Sequence, residues 1–143
     1  MNRVNIICLG VRNMEKSVSF YRDGLGFETK EKENHPAIVF FNNGGSKLEL
    51  FPLSDLSLDF GAQLPLLPEK HFNGMTLAYN TKSQKEVISV IEMARKAGAT
   101  ILKEPSDVFW GGFHAYFADL DYYVWEVCWN PMMPFDDNDM VIV

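Results

Sequence analysis

The sequence is short of three things, and each shortage excludes a class of protein. It has two cysteines, Cys8 and Cys128, among 143 residues. Both sit inside apolar runs with no CxxC or Cys/His spacing around them, which argues against a zinc knuckle or a disulfide framework and reads as two small core residues. It has no basic excess: 13 Lys and Arg stand against 19 Asp and Glu, a net charge of −6. Without a basic stripe, nucleic acid and anionic membrane are not expected partners, while a small neutral or cationic molecule remains open. It also lacks a long apolar run. Arg12, Asn13, Glu15 and Lys16 interrupt the first one almost at once, so neither a leader nor a membrane helix is expected, and the expected location is the cytoplasm. What remains is a composition of 47% apolar and 22% charged residues, that of a soluble globular protein. The length suits one domain, or two small units fused across a common sheet.

The most informative stretch runs from Phe109 to Pro131, FWGGFHAYFADLDYYVWEVCWNP. Two apolar runs, Phe113 to Ala118 and Val124 to Trp129, flank a polar turn around Asp119 and Asp121 whose carboxylates can cap nearby N–H groups. This is the pattern of an antiparallel hairpin. Strand alternation then places His114, Tyr116, Val124, Glu126 and Cys128 on one face and Phe113, Phe117, Trp125, Val127 and Trp129 on the other. The second set is apolar and should face the core. A carboxylate buried without a partner costs several kcal/mol, so Glu126 should meet water, a hydrogen-bond donor or a cation. A wet or ligand-filled concavity is expected on its side.

The rest of the chain divides into two similar halves. Val4 to Val11 reads as a strand covered on both faces. Asn13 caps a helix carrying Met14, Val18 and Tyr21 on one stripe, stopped by Gly24 and Gly26. Ala37 to Asn42 and Lys47 to Phe51 read as strands around the turn Asn43-Gly44-Gly45-Ser46, with a further strand near Glu28 to Lys32. Residues 52–72 read as a long connection or lid without an element of their own. The pattern then restarts with a strand over Gly74 to Tyr79 and a capping box at Ser83 to Glu86. A helix with Val87, Ile91 and Ala94 inward follows and stops at Gly98; a strand over Ala99 to Lys103 leads to the hairpin. Such an internal repeat is a fold-level signal, because neither half can cover its sheet alone. Superposing the halves places Glu49 opposite Glu126, and Ile6 opposite about Gly74.

These residues resemble the vicinal-oxygen-chelate superfamily, which includes glyoxalase I, bleomycin and fosfomycin resistance proteins and extradiol dioxygenases. The resemblance is carried by LGVRNMEKSVSFYRDGLGF at Leu9 to Phe27, by KLELF at Lys47 to Phe51 and by the hairpin stretch, in that order. It implies an α+β fold of paired βαβββ modules forming a curved sheet cup, the glyoxalase-like fold. One domain would consist of modules at about 1–53 and 73–131, with a tail at 132–143, usually in a homodimer. In metal-dependent members the cup holds a divalent ion, and the ligand slots carried over to this chain fall at Ile6, Glu49, Gly74 and Glu126. Only the two Glu can bind a metal, since Ile6 and Gly74 stand where His is usual. His114 is the one imidazole that parity could add, and His35 and His71 fall in loops without an assigned role. The turn also departs from the family, with Leu120, Tyr122 and Tyr123 in place of Pro, Gly and His.

Three functions are compatible with these residues. One is a cup that binds a small organic molecule without depending on a metal, its pocket drawn from Ile6, Cys8, Phe40, Gly74, Thr76, Trp110 and Cys128. Another is a glyoxalase-like lyase, isomerase or dioxygenase in which Glu126 or Glu49 is base and metal ligand and Tyr116 or His114 is proton donor. The third is a dimeric interaction module with a filled cup. The sequence leaves the ligand open.

Overall fold

The computed structural model describes residues 3–59 and 68–142. The chain divides into two compact units, Met1–Leu67 and Pro68–Val143, each an α+β unit with one sheet.

In the first unit the sheet has the order β1-β3-β2, with β1 at Ile6–Val11, β2 at Val39–Phe41 and β3 at Lys47–Pro52. β1 runs parallel to β3, and β2 is antiparallel to it. Asn13 caps α1, Met14–Val18, by accepting from the Lys16 N–H at 3.0 Å. The helix then widens into a π-helical turn, Ser19–Gly24, and Gly26 takes the left-handed conformation at φ 76°. The turn sets Tyr21 edge-on to Phe27 at 5.5 Å and in contact with Phe41 at 5.9 Å. Leu9, Val11, Leu48, Leu50, Val39 and Phe41 are buried on the sheet face shared with these rings. Each such side chain contributes roughly 1.5–3 kcal/mol of transfer free energy.

Three expectations for this unit are corrected. β1 is covered only over its last three residues, and Ile6 is 46% exposed, so the strand is not enclosed on both faces. Glu28 to Lys32 is not a strand. It is only tied alongside β2, by Asn42 N–H to the Glu28 carbonyl at 2.7 Å and by the Thr29 hydroxyl to the Phe40 carbonyl at 2.8 Å. The connection after β3 does carry an element, α2 at Leu53–Asp59. Residues 60–67 of that connection lie outside the described residues.

The second unit has the sheet order β4-β7-β6-β5: β4 at Thr76–Thr81, β5 at Thr100–Asp107, β6 at Phe113–Ala118 and β7 at Val124–Trp129. As in the first unit, the first strand is parallel to the last. Ser83 caps α3, Gln84–Ala97, accepting from the Glu86 N–H at 3.2 Å, and Gly98 ends it at φ 101°. α3 buries Val87, Ile91 and Ala94 and packs on β5, β6 and β7. The face it covers carries Ala115, Phe117, Trp125 and Val127, with Phe117 and Trp125 stacked at 5° and 6.1 Å. The expected core face of the hairpin is thus observed, although Phe113 and Trp129, at its open end, are only half-buried. The turn between β6 and β7 is held by the buried Asp119, which accepts from the N–H groups of Asp121 and Tyr123 at 2.9 and 2.8 Å. The C-terminal segment is ordered as well: Phe135 bridges to Val141, and Asp139 pairs with Lys82.

Candidate functional site around Glu126

On the β6–β7 ladder Tyr116 stands directly opposite Glu126, and His114 opposite Cys128. Opposed residues share a face, so all four lie on the side of the sheet away from α3. Glu126 Oε1 accepts two hydrogen bonds there, from the Tyr116 hydroxyl at 2.8 Å and from His114 Nδ1 at 2.9 Å. The side chains are partly buried, 12% exposed for His114 and 26% for Glu126. Burial, and then the hydrogen bond and charge of Glu126, push the Tyr116 hydroxyl up to about 12, so it is a protonated donor at neutral pH. Cys128 is almost fully buried, and its thiol is pushed up first by burial and then by the Glu126 charge. Such a thiol is a poor nucleophile.

A residue that parity did not flag completes the group. Lys103 Nζ lies 2.6 Å from His114 Nε2. Ile101 pairs with Phe117 on the core side, so regular alternation would put Lys103 opposite Ala115, also on the core side. A bulge between Ile101 and Lys103 instead brings Lys103 opposite Tyr116, and a second irregularity between Lys103 and Ser106 contains Pro105, which has no N–H for the ladder. The extra residue is what delivers the ammonium to the face of Glu126.

Trp110 supplies an aromatic wall. Its ring lies edge-on to His114, centroids 6.5 Å apart, and His114 is in turn edge-on to Tyr116 at 5.1 Å. Gly111 takes φ 90°, and a Cβ at Gly112 would fall inside the Trp110 ring, so the Gly-Gly step is what lets the indole fold back.

In the first unit Glu49 stands opposite Cys8 on one side and Phe40 on the other. The Cys8 thiol is pushed up to about 11 by burial, then by the charge of Glu49 and a hydrogen bond to it. Phe40 and Ile6, on the same face, are each 46% exposed. The equivalent neighbours of the two carboxylates therefore differ: the place that Tyr116 takes opposite Glu126 is taken by Phe40 opposite Glu49. At the far end of the Glu49 face α2 lies on Gly10, where an added Cβ would be 2.7 Å from Leu53 Cδ1. A groove of about 450 Å³ lined by Arg22, Phe27, Thr29, Glu31 and Lys32 contains neither carboxylate. Arg22 is already committed there, to Asp23, Asn34 and the Glu33 carbonyl.

The strand register corrects one of the expected ligand slots. Ile6 pairs two residues before Glu49 on the neighbouring strand, and Thr76, not Gly74, pairs two residues before Glu126. The helix caps agree, since Ile6 precedes Asn13 by the same seven residues that separate Thr76 from Ser83. Gly74 lies outside β4 at φ 82°. With an isoleucine and a threonine in the first-strand slots, and one oxygen of Glu126 already taken by two protein donors, this donor set does not fit a divalent ion of the kind the fold family's metal-dependent members hold. Among the described residues no cluster of three or more His, Cys, Asp or Glu is placed to hold one. His35 Nε2 lies 3.0 Å from Glu15 Oε2, and His71 is exposed.

Known proteins agree with this architecture. Residues 3–127 match the family model of the Glyoxalase/Bleomycin resistance protein/Dioxygenase superfamily. A glyoxalase-related enzyme from Fulvimarina pelagi superposes with a TM-score of 0.87 at 28% identity, over 100% of this chain and 99% of that one. Mitochondrial methylmalonyl-CoA epimerase of Mus musculus is 39% identical over 54 residues, a match that spans 35% of this chain but only 30% of the epimerase. The uncharacterized protein YraH of Bacillus subtilis is 26% identical over 122 residues, spanning 85% of this chain and 93% of YraH. No helix among the described residues is long and apolar enough to cross a membrane. The chain belongs to the glyoxalase/bleomycin resistance protein/dioxygenase superfamily.

Proposed function

We propose that this protein binds a small organic molecule on the face of the second sheet that carries Glu126, with that carboxylate as polar anchor and Trp110 as apolar wall, and that binding does not require a divalent metal. The observation that carries this reading is the doubly bonded Oε1 of Glu126: His114 and Tyr116 hold the carboxylate in one orientation before any ligand arrives. A pre-oriented anchor lowers the ordering cost of binding. A thermal-shift panel of small polar and aromatic compounds, run with and without chelator, tests it. Stabilising compounds whose effect survives chelator and is lost in Glu126→Gln support the reading; stabilisation only when a divalent ion is added would sink it. The same reading takes the protein as a cytoplasmic homodimer, for which light scattering of the purified chain is the check.

The partial similarity to an epimerase favours a catalytic variant of this reading. Glu126 as base and Tyr116 as donor are a complementary acid–base pair within hydrogen-bond distance. Loss of turnover in both Glu126→Gln and Tyr116→Phe, with ligand binding retained in the second, would separate catalysis from binding alone.

A further inference from the structure

The hydrogen bonds around Glu126 have only one consistent direction when Lys103 is an ammonium. An ammonium donates and never accepts. His114 Nε2, at 2.6 Å from Lys103 Nζ, is then the acceptor nitrogen, so the proton of the neutral imidazole sits on Nδ1 and is donated to Glu126 Oε1 at 2.9 Å. Tyr116 donates to the same oxygen. Every donor in the chain points toward Oε1, which leaves Oε2 with no hydrogen bond among the described residues. The carboxylate keeps an accepting oxygen, at a side chain 26% exposed.

From this we infer that Lys103 is a positioning residue that fixes His114 as the Nδ1–H tautomer, and that the site so ordered selects ligands which present a hydrogen-bond donor, above all a planar cationic one, to Glu126 Oε2. The inference rests on the proposed binding role of Glu126 and adds to it the chemical class of the ligand. An acceptor-only ligand, such as a carboxylate, would meet Oε2 as a like charge. Lys103 offsets this only in part, because its ammonium is bonded to the far nitrogen of the imidazole, across that ring from Glu126. The indole of Trp110 beside His114 adds apolar surface next to the carboxylate.

Two measurements on the intact protein test this separately. Long-range proton–nitrogen NMR of the His114 ring reads the tautomer without any ligand. The Nδ1–H form is expected in the wild type and in Lys103→Arg, and its loss is expected in Lys103→Met; an Nε2–H ring in the wild type, or no change in Lys103→Met, overturns the role of Lys103. Titration with benzamidine and with benzoate, which share a ring and differ in donor and acceptor character, reads the ligand class. Benzamidine is expected to bind at least about tenfold more tightly than benzoate, with the ratio reduced in Glu126→Gln. Equal or tighter binding of benzoate overturns the ligand class while leaving a binding site in place. Binding of neither probe, with the expected tautomer present, overturns the ligand class together with the binding role of Glu126.

Discussion

Tyr116 and Glu126 face each other across the β6–β7 ladder, joined by a 2.8 Å hydrogen bond from hydroxyl to carboxylate. Because burial and then the carboxylate hold the phenol near 12 against an ordinary 10.0, the unfolded chain loses this proton before the folded one does. The stability linked to the pair is therefore complete below about pH 10 and is lost as pH rises toward about 12. Absorbance titration of the tyrosines should show a late-ionising component in the wild type that moves to lower pH in Glu126→Gln. An unchanged titration in that variant would mean that burial alone sets the shift.

Tyr122 occupies the left-handed region at φ 69°, in the turn that joins the two strands. A non-glycine residue there carries roughly 1–2 kcal/mol of steric cost, partly offset when glycine replaces it by the extra backbone freedom of the unfolded chain. Tyr122→Gly is expected to stabilise the protein by about 0.5–1 kcal/mol. In urea denaturation this would raise the midpoint at constant slope; a lower midpoint would show that packing of the tyrosine ring outweighs the backbone strain.

Gly112→Ala should expel the Trp110 ring, since the new methyl would occupy the space of the indole. The cost to global stability is expected to stay below about 1.5 kcal/mol, because the half-exposed Trp110 ring that covers Gly112 can swing out toward solvent. The larger effect is local: the ring-current shift that Trp110 imposes on His114 should vanish from the NMR spectrum. Its persistence would show that the loop, and not the indole, gives way.

Gly10→Ala tests the seat of α2. The added methyl would be 2.7 Å from Leu53 Cδ1 and 3.1 Å from Leu56 Cδ2, both at the ends of side chains that can turn aside. A loss of about 1–2 kcal/mol is expected, toward the low end for overpacking. The methyl resonances of Leu53 and Leu56 should shift with it, while those around Ile91 stay in place.

The hairpin was legible because its alternation is strict, and a period of two fixes both faces once the turn is placed. The repeat was legible for a similar reason, since Asn13 and Ser83 are caps of the same kind at the same distance from their strands. α2 was not legible: it is short and follows Pro52, and its Leu, Ser and Asp make no clear stripe. Gly74 was mistaken for a strand position because it adjoins the strand and carries no side chain to signal the left-handed backbone it adopts. Lys103 could not be found by counting, because its place depends on a bulge, and a bulge leaves no fixed signature in residue order.

That bulge bears on how sequences of this kind should be aligned. Leu102 is the supernumerary residue, half-exposed, between the pairs Ile101 with Phe117 and Lys103 with Tyr116. A chain lacking it could keep both pairs in a regular ladder, with the lysine still facing the histidine. An ungapped alignment of two such chains would set this lysine against its neighbour's next residue and conceal the equivalence. In this strand, a deletion of one residue is closer to silence than many substitutions would be.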